Sequence, residues 1–594
     1  MAQRFLTLEA AIDLLFSLPD DEREGASVCQ LPPLEDGNIT DEEHVNENDF
    51  SEVVPDDVCG HVEVMQCSDE DVDSPSASSS PEPRRKKPAG RQFTAGKGRK
   101  ASTKARKTNT PKRSHTPVWG DRATFDKTLP SESPPLLLEA FPELANMSPF
   151  MLFSKFISPE YLGSLAELTA RYALQKGEEV DVTGADIGQF FGLLLFSGYH
   201  SVPSEDSYWS TAEDLCVPIV ATVMARNRFR QLKRFFHVVD NTQLKAGEKK
   251  GKIQPFYNEI SKCFRQFGVF NESLSIDESM VPYYGHHSCK MFIRGKPIRF
   301  GYKIWMMCST NGYPYAMEIY CGRNEKDDKT PLGIRVVSNM VSVLEAPEQH
   351  EVYFDNFFTS HGLLTKLADQ GIRATGTVRD TRTGGCPLKS LKSIGKEERG
   401  SFHYKCDGAV YACRWNDNAV VTVSSNHLNH EPVGSAKRFS RRSNKKVDIR
   451  QPYLIKKYNE GMGGVDVMDR LLGSYRPRLR SKKWWWNLFS NGLNMAVVAG
   501  WLLHCELHRG SDAAMTHIAF RRDVTMSLLQ LKPKLTVRPG PRVHPRHEDR
   551  KTDGHYMIST TQGRCAECKK NTTNQCQQCK KRLHKKCFAA YHGL

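Results

Sequence analysis

The chain has 594 residues, of which 39% are hydrophobic, and a formal net charge of +14. It contains no run of 18 apolar residues, and acidic side chains interrupt its first apolar stretch, so we expect neither a membrane span nor a signal peptide. The charge is unevenly spread, because residues 1–82 carry 22 acidic and two basic side chains, whereas residues 84–114 carry 13 basic and no acidic ones. This leaves +21 on the remaining residues and favours a nucleic-acid partner, with an ordinary solvated basic surface as the alternative.

The first 118 residues are expected to form a disordered tail, acidic at first and then basic. A short candidate helix at Leu6–Leu18 is the exception, and the Ser/Pro/Ala run at Ser74–Ser80 has no means of building a core. The basic clusters Arg84–Lys87 and Lys97–Lys107 are typical of nuclear-import signals or of a phosphate-binding arm. They predict a nuclear protein.

Helical periodicity begins near Pro149 and continues through Gly184–Phe196 and Val220–Phe236. The last of these predicted helices has an apolar face and a strongly basic face that includes Arg226 and Arg228. Such a helix suits contact with a DNA backbone, although a solvated surface helix has the same pattern.

Short β-rich runs replace the helical pattern near residue 270. Strands are predicted at Ser273–Ile276, Tyr302–Cys308, Tyr315–Tyr320, Glu351–Phe354 and Ile372–Val378, and helices at Leu332–Leu344 and Ser360–Leu367. Three strands followed by helix, strand, helix and strand indicate an α/β fold. A second β-rich stretch follows at about 400–425, then a basic, linker-like segment at 434–450, and helices at about 452–472 and 482–508.

Four aspartates stand where metal chemistry is able to use them. Asp277 ends the first predicted strand and Asp355 ends the fourth, while Asp466 and Asp469 lie three residues apart on one face of a predicted helix. Carboxylates that converge in this way are able to hold a pair of divalent cations. The alternative is that each aspartate merely caps a turn or a helix.

The C-terminal tail is rich in cysteine and histidine. Its candidate zinc ligands are Cys565, Cys568, Cys576, Cys579, His584, Cys587 and His592, with His555 as the nearest eighth. Two CxxC pairs in so short a segment indicate a module that folds around zinc, whereas buried free thiols or a redox pair are weaker explanations. An interleaved arrangement places Cys565, Cys568, His584 and Cys587 on one ion and the remaining four residues on the other. A sequential arrangement is equally compatible with the spacing.

Together these motifs resemble the piggyBac family of cut-and-paste transposases. The resemblance covers roughly residues 145–594 and also takes in the basic helix around Arg226 and the cysteine-rich tail. Its motifs are Leu274–Gly285, Phe292–Lys303, Phe354–Ser360, Thr375–Arg379, Tyr458-Asn459 and Gly463–Asp466.

The resemblance implies an RNase H-like catalytic domain at 271–380 and 449–470, with a β-rich insertion at 381–448. Asp277, Asp355 and Asp466 would bind two Mg²⁺ ions, and Asp469 would assist them. A helical dimerisation and DNA-binding domain is implied at 119–270 and 471–540. A domain at 553–594 would bind two Zn²⁺ ions and the transposon end.

Basic side chains near the predicted site are expected to neutralise DNA phosphates. They are Arg226, Arg228, Arg294, Lys296, Arg299, Lys303, Arg476, Arg478, Arg480, Lys482 and Lys483. Trp484–Trp486 would either stack on an unpaired base at the cut site or belong to the core.

The sequence therefore predicts a nuclear, homodimeric DNA transposase that acts on double-stranded transposon ends and TTAA target sites. Neither a membrane nor a small-molecule substrate is expected. The alternative is a transposase-derived DNA-binding or chromatin protein that no longer cuts. A histone-reading tail is a third hypothesis, but it would explain only the last 40 or so residues.

Overall fold

The computed structural model describes residues 117–245, 247–268, 271–285, 287–293, 296–322, 330–440, 444–535 and 554–592. It also describes the backbone of three short strands nearer the N-terminus, β1 (Gln3–Phe5), β2 (Ser27–Leu31) and β3 (His61–Met65). These strands interrupt the segment expected to be disordered, and the candidate helix at Leu6–Leu18 lies outside the described residues. The chain divides into two compact units, a larger one of Met1–Ser210 and Asp214–Lys534 and a smaller one of Thr211–Glu213 and Leu535–Leu594.

Helices precede the main sheet. They are α1 (Leu137–Ala140), α2 (Pro149–Ser154), α3 (Pro159–Gln175), α4 (Gly184–Tyr199), α5 (Pro218–Val223), α6 (Arg226–Phe235) and α7 (Gln254–Gln266). Side chains fix their starts: Ser158 caps α3, and Thr183 and Asp186 form a reciprocal capping box on α4. The single helix predicted at Val220–Phe236 is wrong, because the buried Met224 adopts an extended conformation between α5 and α6.

The centre of the larger unit is a mixed sheet, so the predicted α/β class is confirmed. Its elements are β4 (Ser273–Pro282), β5 (Lys290–Ile293), β6 (Phe300–Ser309), β7 (Pro314–Ile319), α8 (Leu332–Val341), β8 (Glu351–Phe354), α9 (His361–Asp369) and β9 (Arg373–Thr377). Strand β4 pairs antiparallel with β6 on one side and parallel with β8 on the other, and β8 pairs parallel with β9. On the other side of β6, β5 pairs with β2, and the sequence pattern did not predict this pairing.

The segment expected to be a β-rich insertion continues this sheet. It contains α10 (Leu391–Ile394), β10 (Phe402–Cys406), β11 (Tyr411–Asn416) and β12 (Val420–Ser425), and β12 pairs antiparallel with β9. The basic segment predicted to be a linker instead forms a hairpin of β13 (Gly434–Ser440) and β14 (Lys445–Gln451). Ile449 and Gln451 alternate onto the buried face of this hairpin, which holds it against the protein.

Four helices complete the larger unit: α11 (Tyr453–Gly461), α12 (Gly464–Ser474), α13 (Trp486–Leu507) and α14 (His517–Leu529). The single helix expected at 452–472 is broken between α11 and α12. Gly463 has a φ of 105°, a left-handed conformation that costs glycine little and other residues much more. This break turns α12 relative to α11 and sets the direction of its aspartates.

Helix α13 is the core helix of the larger unit. It packs against α2, α7 and α14, and the aromatic side chains Trp484–Trp486 at its start are all buried. By length and composition it is apolar enough to cross a membrane, yet 89% of its most apolar window is buried inside the protein. The three tryptophans therefore belong to the core, as one of the two alternatives predicted.

Candidate active site and metal-binding residues

Two of the predicted catalytic aspartates are neighbours on the central sheet. Asp277 lies inside β4 rather than at its end, because β4 continues to Pro282. Asp355 follows the last residue of β8. Since Ile276 and Phe354 are partners in the parallel register of β4 and β8, the next residues along both strands, Asp277 and Asp355, lie side by side.

Helix α12 brings the other two aspartates to the same part of the sheet. Asp466 lies in its first turn, and Asp469 accepts a hydrogen bond of 2.5 Å from the hydroxyl of Ser279 on β4. The close packing depends on Gly464, where a Cβ atom would lie 2.1 Å from the carbonyl oxygen of Ser309. The structure thus brings the four predicted carboxylates together around the middle of β4.

Asp277, Asp355 and Asp469 are partly buried among like charges, whereas Asp466 is exposed. The pKa of Asp277 is raised to about 7 by burial, by Glu278 and by Asp355, although Lys296 opposes the rise. Burial and Asp466 raise the pKa of Asp469 to about 6, and burial and Glu278 raise that of Asp355. A partly buried acidic cluster of this kind is stabilised by divalent cations, whose preferred ligands are carboxylate oxygens.

Glu278 is a site residue that the sequence reasoning missed. Its carboxylate binds Lys296 at 3.0 Å and Lys303 at 3.6 Å, so burial, which raises its pKa, is outweighed by these lysines and its pKa is lowered. Both lysines were predicted to contact DNA phosphates. In the structure they serve first as partners of an acid next to Asp277, which only tertiary pairing of β4 with β6 reveals.

Tyr458 on α11 also borders the carboxylates. Its hydroxyl lies 3.4 Å from Thr377 Oγ1. Burial raises its pKa to about 12, and the charges of Asp355 and Asp277 add to the rise. The Tyr458-Asn459 motif was the only sequence signal for this residue, and the sequence assigned it no role.

The other basic residues predicted to contact DNA differ in how exposed they are and in their partners. Arg299, Arg478 and Lys482 are exposed, whereas Arg476 and Arg480 are partly exposed and Arg294 lies outside the described residues. On α6, Arg228 donates to the carbonyl of Asp181, and the guanidinium of Arg226 is 4.0 Å from Asp206.

For Lys483 the predicted contact with DNA is wrong. The side chain is 5% exposed, and its ammonium donates to the carbonyl oxygens of Phe236 at 2.7 Å and Lys233 at 2.9 Å. Lys483 therefore ties the start of α13 to the end of α6.

In the smaller unit, β15 (Met557–Arg564) and β16 (Asn571–Cys576) form a hairpin that α15 (Lys585–His592) follows. Its metal-ligating side chains form two groups whose ligand atoms lie within 4.8 Å of one another. The groups are His555, Cys576, Cys579 and His592, and Cys565, Cys568, His584 and Cys587. This grouping is the interleaved one, with His555 as the eighth residue.

The two groups have the chemistry of zinc sites. His555 Nδ1 lies 2.9 Å from Cys579 Sγ, and His584 Nδ1 lies 3.3 Å from Cys568 Sγ. The opposite nitrogen of His584 contacts the carbonyl oxygen of Asn571 at 2.9 Å, which leaves Nδ1 to face the thiols. Although burial raises the pKa of Cys565, neighbouring N–H groups and His584 lower it to about 6, which favours the thiolate that zinc binds.

Comparison with known proteins identifies the class. The family described as transposase IS4 matches residues 148–501. Two human relatives, PiggyBac transposable element-derived proteins 3 and 2, are 36% identical over 455 residues and 34% identical over 458. Each alignment covers 75% of this chain and 76% of the relative.

A solved structure, a cryo-EM piggyBac transposase synaptic complex with hairpin DNA, has the same fold. It superposes with a TM-score of 0.55 at 20% identity, covering 75% of this chain and 96% of that one. The chain therefore belongs to the piggyBac transposase family, as its motifs predicted.

Proposed function

We propose that this protein is a metal-dependent DNA transposase that cleaves transposon ends and joins them to TTAA sites. One observation carries the proposal: Asp277 and Asp355 lie side by side on parallel strands, and α12 brings Asp466 and Asp469 close to them. The order of strands around β4 supports naming this part an RNase H-like catalytic domain.

In this proposal Asp277, Asp355 and Asp466 would bind a pair of Mg²⁺ ions, and Asp469 would be an assisting acid. When bound, such ions activate a water or 3′-hydroxyl and stabilise the leaving oxygen of a phosphodiester. The protein's part is to hold the acids in place. Asp355 accepts the N–H of Phe357 at 2.9 Å, and Ser279 orients Asp469.

DNA is the partner that this proposal requires. The solved relative was captured with hairpin DNA, and exposed basic side chains such as Arg299 and Lys482 are available to phosphates. The smaller unit would hold two Zn²⁺ ions and bind the transposon end. The proposal also includes a homodimer and a location in the nucleus. The two basic clusters of the N-terminal tail support the nuclear location.

A second candidate is a DNA-binding protein that no longer cuts. The names of the human relatives, transposable element-derived proteins, favour this candidate. Both candidates predict binding to DNA, and only the first predicts metal-dependent cleavage. The four aspartates lie close together, which favours the first candidate. A protein that had lost the ability to cleave DNA would have no need to keep them together.

The test is cleavage of a duplex that joins the inverted repeat flanking the coding locus to TTAA, with Mg²⁺ or Mn²⁺. We expect nicking by the wild type, none by Asp355→Asn, and wild-type nicking by Asp512→Asn, which changes an exposed acid far along the chain. DNA binding without nicking in all three proteins would support the second candidate.

A further inference from the structure

We propose that Lys296 is the built-in counter-ion of the carboxylate cluster and that its ammonium sets the affinity of the cluster for divalent cations. The inference rests on the proposed function, because it concerns the same metal site. It assigns to Lys296 a positioning role inside the site, in place of the phosphate contact that the sequence predicted.

The structure holds Lys296 at the cluster through Glu278. The residue lies in the connection between β5 and β6, and its Nζ is 3.0 Å from Glu278 Oε1. Its side chain is 30% exposed, so the ammonium is partly withdrawn from solvent. Glu278 directly follows Asp277 on β4, and the charge of Lys296 acts on both carboxylates.

The charge of Lys296 reaches all four aspartates. It interacts favourably with Asp277 and Asp466, and it opposes the rise in the pKa of Asp355 and of Asp469. Arg379 also acts on Asp355, and Arg476 on Asp469. Within the part of the chain that the structure describes, Lys296 is thus a cation that acts on every member of the group.

Lys303 provides a natural comparison. It binds the other oxygen of Glu278 at 3.6 Å, but its ammonium also lies 3.8 Å from the centre of the Trp305 ring. The glutamate and the indole face therefore hold the Lys303 ammonium. A loss of positive charge at Lys303 disturbs Glu278 while leaving the shared counter-ion in place.

The consequence follows from the signs of the charges. Without divalent ions, the ammonium offsets repulsion among the carboxylates and stabilises the fold. When divalent ions bind, the same ammonium repels them at short range, so it weakens their binding. Removing the charge of Lys296 should make the metal-free protein less stable and its metal binding tighter, two opposite effects that a purely structural lysine would not produce.

The test uses the full, zinc-loaded chain and Mn²⁺ as the probe. The variants are Lys296→Gln, which keeps a donor for Glu278, Lys296→Arg, which keeps the charge, and Lys303→Gln. Calorimetric titration gives the Mn²⁺ affinity, and thermal unfolding without divalent ions gives stability. Asp355→Asn identifies which Mn²⁺ binding belongs to the carboxylates.

For Lys296→Gln we expect roughly tenfold tighter Mn²⁺ binding and a melting temperature lower by a few degrees. Lys296→Arg and Lys303→Gln should keep the wild-type affinity. Unchanged affinity in Lys296→Gln, or an equal gain in Lys303→Gln, overturns the counter-ion assignment. If Lys296→Gln does not fold, the Mn²⁺ affinity of Lys296→Arg tests the proposal instead. Because this variant keeps the positive charge, tighter Mn²⁺ binding by it would also overturn the counter-ion assignment. Absence of any Asp355-dependent Mn²⁺ binding in the wild type overturns the metal site itself, and the proposed function with it.

Discussion

The hydroxyl of Ser279 donates to Asp469 Oδ1 over 2.5 Å, although 190 residues separate the two along the chain. The bond joins β4, which carries Asp277, to α12, which carries Asp466 and Asp469. It lowers the pKa of Asp469 against the larger effect of burial. One serine thus connects the sheet acids to the helix acids and helps to keep the buried carboxylate ionised.

Removing this hydroxyl should weaken the site. Ser279→Ala leaves a buried carboxylate without its donor, so we expect the free energy of unfolding to fall by about 1–2 kcal/mol. Urea unfolding measures the change. Ser474→Ala, which removes an exposed hydroxyl bonded to the Arg470 carbonyl in the same helix, should stay within about 0.5 kcal/mol. Equal effects of the two variants would contradict the role given to Ser279.

Gly464 should tolerate no side chain. A Cβ there would lie 2.1 Å from the Ser309 carbonyl and 2.7 Å from Ser275 Oγ, so Gly464→Ala must push α12 away from the sheet. We expect loss of cleavage by at least about a hundredfold, since displacements near 1 Å have that effect. Gly473→Ala, in the same helix but with open space around it, should retain activity. Cleavage assays on both variants, with circular dichroism to verify folding, distinguish them.

Adjacent lysines 482 and 483 should have separable roles. Lys483→Met removes a buried ammonium that donates to two backbone carbonyls, and we expect a loss of about 2–3 kcal/mol in stability. Lys482→Ala changes an exposed side chain. It should reduce the salt dependence of DNA binding by about one phosphate contact, with little effect on stability. Affinities measured across a salt series test this, and a reduced slope in Lys483→Met alone would refute it.

Two buried histidines, His237 and His287, and the partly buried His517 should make the fold sensitive to acid. Burial lowers the pKa of His237, His287 and His517 to about 3, with nearby Lys483, Lys249 and Arg521 adding to the respective shifts. Because an unfolded histidine binds its proton near pH 6.5, the stability that these groups contribute is complete above that pH and lost as pH falls toward 3.

The size of this acid effect is measurable. Each histidine should contribute about 1.4 kcal/mol per pH unit between about 6 and 4. His237→Asn, which keeps an N–H donor for the Phe235 carbonyl, should reduce the slope of unfolding free energy against pH by about one proton. Urea titrations at several pH values give that slope, and an unchanged slope in the variant would count against a buried neutral His237.

The smaller unit should depend on two metal ions. Its ligand groups are interleaved in sequence, so removing zinc with a strong chelator should unfold residues 554–592 as a whole. Cys579→Ser should lose one ion and Cys568→Ser the other, each leaving about one zinc per chain by elemental analysis. Cobalt substitution should give a spectrum of mixed thiolate and imidazole ligands at both sites. A sequential arrangement would be indicated if Cys576→Ser and Cys565→Ser released the same ion.

The sequence by itself determined the class of fold and the family, and it predicted the four aspartates and the zinc-type ligands. These follow from local signals, namely hydrophobic period, short motifs and ligand spacing, that survive without knowledge of the tertiary contacts. His555 was identified as the eighth residue only by its proximity in the chain, and the structure brings it within 2.9 Å of Cys579 Sγ.

Tertiary structure decided what each charge does. Lys296, Lys303 and Lys483 look alike in the sequence, yet two bind Glu278 and the third is buried against backbone carbonyls. The strands after β9 extend the main sheet, although their pattern fits a separate domain equally well. A lysine or an edge strand forms its contacts with residues that lie far away in the sequence. Such long-range contacts produce no periodic pattern in a single sequence, so sequence periodicity does not predict them.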